Sequence, residues 1–241
     1  MPEEVPKPAA ELVRQVLQAG ADAGRLVVQA GHKLTASGVD VYVRRVRDAN
    51  PDASIEDLVD RVVRAHLVLA RAEGAAAGVT TTTAWATTLV GTAGTLTLPA
   101  AVVITASDLT GLVWIQLRMM LMIAALHGHD STDPARIREF LSLQGALPAA
   151  AAPAAVPPLT AAASRVTTRL LMRHLQGPLL ASVTSLFRTV GVKFSRAVLL
   201  RQLFLLNIPI NVLVNDAATR RLAQKARAFY STLPAGARRE H

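Results

Sequence analysis

Residues 74–107 read GAAAGVTTTTAWATTLVGTAGTLTLPAAVVITAS, and between Glu73 and Asp108 the chain carries no charged side chain. As one helix this stretch would be about 51 Å long, well beyond the ~30 Å of a bilayer core. Gly91, Gly94 and Pro99 argue for a break, which leaves two segments, 74–90 and 95–107, each at or below the minimum for a full crossing. Ten threonines lower the hydrophobicity further, although threonine in a helix can bond back to its own backbone and is tolerated in lipid. The expected structure is a helical hairpin. It is either the buried centre of a soluble bundle, packed through Gly74, Gly78 and the alanines, or an element inserted in or lying on a membrane. On the second reading Gly74, Gly78, Trp85, Leu89, Gly91 and Gly94 are the residues that contact membrane or partner. The β-branched run leaves a β-hairpin as a third, minor option.

Downstream, 108–126 reads as the best helix of the chain, with Asp108 as its cap and Gly111, Leu112, Ile115, Arg118, Met119, Met122 and Ala125 along one broad face. Arg118 interrupts an otherwise apolar run from 109 to 126. A guanidinium there needs an anion or several acceptors. Asp108, ten residues or about 15 Å up the helix, is too far to serve. His127-Gly128-His129-Asp130 ends the helix. The H-x-H-D spacing makes His127, His129 and Asp130 weak metal candidates, set against a glycine stop with Asp130 capping the next turn. No histidine at a fixed helical spacing completes a ligand set, so no metal or other cofactor is expected.

Upstream, residues 1–8 are proline-rich and expected to fray. From Ala9 to Leu34 apolar and small residues recur at helical spacing, with Gly20, Gly24 and Gly31 on the packed face. Glycine there implies either close helix approach or a helix broken near Gly31. Residues 39–48 (VDVYVRRVRD) could start as a short strand or continue as helix, and helix is favoured. After Asn50-Pro51-Asp52, Ser54 and Asp57 make a capping box for an amphipathic helix running to Arg71, with His66 at the edge of its apolar face as a structural histidine. Asp133-Pro134 starts a helix over 135–143. Residues 147–163, LPAAAAPAAVPPLTAAA within 147–163, form a low-complexity Ala/Pro connector. Beyond it 164–175, 178–190 and 193–206 read as helices in which Arg165, Arg169, Arg173, Arg188, Lys193, Arg196 and Arg201 are spread among apolar residues. Such helices suit an anionic membrane surface or plain solvent. In the last helix Ile208, Val212, Asn215, Thr219, Leu222, Ala226 and Phe229 form one stripe, placing Asn215 where it must find a partner. Asp108, Arg118 and Asn215 are therefore expected to meet in a buried polar network.

Composition narrows the function classes. Hydrophobic residues are 51% and charged residues 18% of the chain, a balance that raises the expectation of lipid contact. The formal net charge of +9 attracts anionic surfaces. Aromatic residues at 4% are too few for base-stacking platforms, so nucleic acid is an improbable partner. The absence of cysteine excludes disulfides, Cys-ligated metal and thiol catalysis. The N-terminus has no apolar run of the kind that exports a protein, so the expected location is cytoplasmic, at most peripheral to or partly inserted in the cytoplasmic membrane.

Three pieces, the glycine-rich stretch 74–94, SDLTGLVWIQLRMMLMIAALHGHD from Ser107, and IPINVLVNDAATRRLAQKARAFY from Ile208, stand in an order and spacing that resembles the EcsC-like family over about residues 50–230. The resemblance implies a bacterial, all-α protein with polar positions at Asp108, Arg118, Asp130 and Asn215, and a role near membranes or transport. It implies no reaction. His127 and His129 replace the aromatics usual at that turn, and the Ala/Pro connector looks like an insertion. The expectation is one all-α domain, 1–241, a helical bundle organised around the uncharged Gly/Ala/Thr-rich hairpin. Its expected function is that of a non-enzymatic, membrane-associated accessory protein contacting lipid or a membrane protein. Two alternatives stand beside it. One is a soluble protein whose apolar cavity holds a lipid-like ligand with its acid on Arg118; the other is an enzyme using Asp108 or Asp130 as acid/base.

Overall fold

A computed structural model describes residues 7–90, 97–145, 178–191 and 208–233. Among them are seven α-helices, one 3-10 turn and no strand: α1 (Lys7–Gln18), the turn Gly20–Asp22, α2 (Ala23–Asp48), α3 (Ile55–Val90), α4 (Thr97–Leu126), α5 (Ala135–Gln144), α6 (Pro178–Thr189) and α7 (Ile208–Thr232). The protein is an all-α helical bundle.

Its centre is the second half of α4. Met119, Met120, Leu121, Met122, Ile123, Ala124 and Leu126 are all but inaccessible. A helix apolar on every side must be surrounded by protein or by lipid. The window Ala106–Leu126 has a mean hydropathy of 1.8, enough by length and composition to cross a membrane, yet 72% of it is buried inside the bundle. It is covered by α3 and α7 on one side and by α2 on the other, with smaller contacts from α1, α5 and α6. Among the described residues the core centres on 106–126.

Two helices are longer than their sequence suggests. The helix that opens at the Ser54–Asp57 capping box does not stop at Arg71 but runs without a break through Gly74 to Val90. The box is closed as expected: Ser54 Oγ donates to Asp57 Oδ2 (2.7 Å) and accepts from the Asp57 N–H (3.1 Å). Likewise α4 begins at Thr97, so Asp108 lies inside the helix and is not its cap. Pro99 is the third residue of α4, in the first turn, where N–H groups have no helical partner and a proline costs nothing. Glu73 packs against Gly111, which sets α3 and α4 antiparallel and places Asp108 about one turn, roughly 4.5 Å, from the level of Glu73.

The N-terminal glycines divide two tasks. Gly20, at φ 59°, breaks the chain between α1 and α2. Gly31 lies within α2, where an added Cβ would stand 2.6 Å from Trp114 Cδ1 and 3.2 Å from Leu117 Cδ2, so its absence lets α2 close on α4. The break thus falls at Gly20, not near Gly31. Trp114 Nε1 donates to the Val27 carbonyl (3.2 Å) across the same contact, and Arg47 donates to the terminal Leu126 carbonyl of α4 (2.6 Å). Gly128, at φ 86°, ends α4 in a Schellman motif, with His129 N–H on the Ala124 carbonyl and Gly128 N–H on the Ala125 carbonyl.

Candidate functional site

Two helical strands of polypeptide, 74–90 in α3 and 97–107 in α4, carry the charge-free hairpin. Of the six contact candidates, Gly74 is buried. Gly78, Trp85 and Leu89 lie on the helical backbone of α3, their surroundings outside the described residues, and Gly91 and Gly94 fall outside them altogether. At the base of the hairpin Glu73 is half-buried, and burial pushes its carboxyl above the usual glutamate range.

The four polar candidates do not form one buried network. Arg118 is exposed, its guanidinium 6.0 Å from the centre of the Tyr42 ring at the outer limit of a cation–π contact. The expectation of a buried arginine fails because α4 is apolar all round, so its sequence does not say which side faces solvent. Asn215 is half-buried and donates to the Ala70 carbonyl of α3 (3.4 Å). Asp108 is half-buried on the turn before Gly111. Asp130 is exposed and its Oδ1 accepts from Thr132 N–H (2.8 Å) and Oγ1 (2.7 Å), an Asx turn that fixes the chain after the glycine stop.

The buried polar contacts lie elsewhere. Gln116, fully buried on α4, accepts from Gln144 Nε2 of α5 (2.6 Å) and donates to Thr219 Oγ1 of α7 (3.3 Å). These side chains tie three helices at one point. The sequence carries a trace of this: Gln116 lies three and four residues from Val113 and Met120, both inaccessible. A second cluster joins α5 to α7. Arg136, 6% exposed, pairs with Glu139 and with Asp133 Oδ2 (3.3 Å), and Tyr230 Oη donates to Glu139 Oε2 (2.7 Å). Arg136 Cζ stands 5.6 Å from the Tyr230 ring centre, and the His129 ring is tilted against the same ring at 5.3 Å. Burial, then the Glu139 carboxylate, push the Tyr230 phenol far above its ordinary range, so it stays a neutral donor and is no base or nucleophile.

His66 is 4% exposed with Nδ1 on the Val62 carbonyl (2.8 Å), and burial lowers its pKa; burial does the same to His127 and His129. Among the described residues no group of three His, Cys, Asp or Glu side chains is placed to hold a metal. Between α2 and α3 an open basin of about 630 Å³ is polar, lined by Asn50, Asp52, Asp57, Asp60, Arg61 and Arg64. Four of those side chains are engaged: Asp57 in the capping box, Arg61 with Asn50, and Asp60 with Arg227.

The expected basic helices of 164–206 are described only as α6, in which Arg188 is exposed; the rest lie outside the described residues. No protein-family model, no curated protein and no solved structure matches the chain.

Proposed function

We propose that the protein is a non-enzymatic, membrane-associated accessory protein that meets the lipid at the cytoplasmic face through the charge-free half of its α3–α4 hairpin. One observation carries the reading. On two antiparallel helices the charged residues stop at a common level, Glu73 on α3 and Asp108 beside Gly111 on α4, and none appears beyond it. The uncharged part of α3, 74–90, is about 25 Å long, deeper than one leaflet and short of a ~30 Å crossing. Such a length suits a hairpin in the interface or one leaflet. Membership in the EcsC-like family, proposed on the resemblance of 74–94, 107–130 and 208–230, agrees with a bacterial protein working beside membranes. The polar contacts of α4, α5 and α7 are ties between helices, which favours a scaffold over an acid/base site.

The test is flotation of the purified chain with phospholipid vesicles in high salt, comparing the natural sequence with Leu89→Asp. Binding that survives salt and is lost on placing a carboxylate in the hairpin supports the reading. Equal binding by both proteins overturns it.

A further inference from the structure

The long helix α3 changes character at Glu73: 74–90 is uncharged, while 55–73 is amphipathic and packs against α7. Ion pairs mark the ends of that packing, Arg71 with Asp216 (2.7 Å) and Asp60 with Arg227. The helices are therefore antiparallel over 60–73 and 214–227. Within those bounds lie the cations Arg61, Arg64, Arg71, Arg220, Arg221, Lys225 and Arg227, against only Asp60, Glu73 and Asp216. All the cations but the half-buried Arg227 are exposed. Asp216 is already shared between Arg71 and Arg220 (2.7 Å each). At the end of this face nearest the hairpin stand Val68 and Leu213, 62% and 68% exposed. The Asn215 amide reaches the Ala70 carbonyl, so these two side chains lie within about one helical turn of each other along the bundle.

We propose that the α3/α7 face is the surface on which the protein lies against an anionic phospholipid bilayer, with α3 in the membrane plane. The phosphate layer takes the arginines, and Val68 and Leu213 enter the acyl boundary where the charged half of α3 gives way to the uncharged half. This deepens the function proposed above and rests on it for the orientation of α3. Charge alone does not select the face, since α2 also exposes Arg25, Lys33, Arg44, Arg45 and Arg47. What selects α3/α7 over α2 is continuity: α3 runs on into a charge-free segment and α2 does not. A nucleic acid is disfavoured as the occupant because the exposed apolar side chains there are aliphatic, with no ring to stack on a base.

The experiment compares two charge-matched variants of the full chain, Arg64→Glu/Arg221→Glu on the proposed face and Arg44→Glu/Arg45→Glu on α2. Affinity is measured by flotation with vesicles of phosphatidylcholine containing one-third phosphatidylglycerol. The first pair is expected to lose at least tenfold in affinity and the second less than threefold, with unchanged thermal midpoints. Val68→Ser/Leu213→Ser is expected to weaken the binding that remains in high salt. Equal losses for the two charge pairs, no loss for the first, or tighter binding to RNA than to vesicles overturns the proposal. Quenching of tryptophan by lipids brominated in the acyl chain, compared with a Trp85→Phe variant, reads the hairpin separately. Quenching retained beside an unaffected α3/α7 variant sinks the docking face and leaves the hairpin reading standing; a weakened α3/α7 variant without quenching does the reverse.

Discussion

Replacing Gln116 by leucine removes the hub of the only three-helix polar contact among the described residues that is buried throughout. Leucine has nearly the volume of glutamine, so packing changes little; the effect comes from the partners. Gln144 Nε2, bonded at 2.6 Å in a residue 8% exposed, loses its acceptor, and Thr219 Oγ1, fully buried, loses a longer 3.3 Å bond. An orphaned buried polar group costs about 1–3 kcal/mol. The short amide bond belongs near the top of that range and the threonine near the bottom, because its hydroxyl can turn back to a carbonyl of its own helix. Allowing about 1 kcal/mol for the added apolar burial, the net loss is about 2–3 kcal/mol. For a chain of this size that lowers the thermal midpoint by roughly 4–12 °C. The triple change Gln116→Leu/Gln144→Leu/Thr219→Val removes every orphan and is expected to recover most of the loss. Urea and thermal unfolding of the single and triple variants measure both. A single variant as stable as the natural protein, or a triple variant worse than the single, would refute the hub.

Gly31→Ala should destabilise by about 1–3 kcal/mol despite the better helix propensity of alanine, since the new Cβ meets the Trp114 ring; a gain in urea midpoint would show that α2 and α4 are not in close contact there. Tyr230→Phe removes a 2.7 Å bond to the Glu139 carboxylate and is expected to cost about 1.5–3 kcal/mol, read by the same unfolding titration; no change would count against the α5–α7 tie. His66, held neutral by burial, has a folded pKa below its unfolded value, so the unfolded chain takes up more protons. Its contribution is complete above about pH 6.5 and is lost as pH falls through that value toward the folded pKa. His66→Leu should therefore flatten the loss of stability between pH 7 and pH 5, and an unchanged slope would contradict the burial of this ring.

Periodicity and punctuation made much of the bundle legible before any coordinates. The capping box at Ser54, the stop at Gly128, the Asp133-Pro134 start and the stripe of the last helix all report local backbone chemistry, and each is found where those residues place it. Errors arose where packing outweighs propensity. The amphipathic helix expected to run to Arg71 continues through a buried Gly74 to Val90, and Pro99, expected to interrupt, is accepted in the first turn of α4. The polar contacts were the least legible part. On a helix apolar all round, nothing in the pattern fixes its rotation, and Gln116 and Arg118 are about 200° apart around the axis. The charged residue drew attention as the one in need of a partner. In the fold the arginine faces out and the neutral amide faces in, since an amide brings no charge to desolvate whereas a buried guanidinium needs a carboxylate beside it, as Arg136 has in Glu139. The lipid-facing reading of 74–107 rests on its composition and on the common level at which charge stops on α3 and α4, and the question it poses is where that stretch lies in the cell.

That question is settled most directly by where the untagged protein resides in cells that express it. Membranes are pelleted, washed in high salt to strip electrostatically held protein, and then washed at alkaline pH in carbonate to release everything not embedded in lipid. The account predicts that the protein stays with the pellet through the salt wash and that Leu89→Asp moves it to the supernatant. Recovery of the natural protein in the soluble fraction before any wash would contradict the account and make the uncharged hairpin a part of the core.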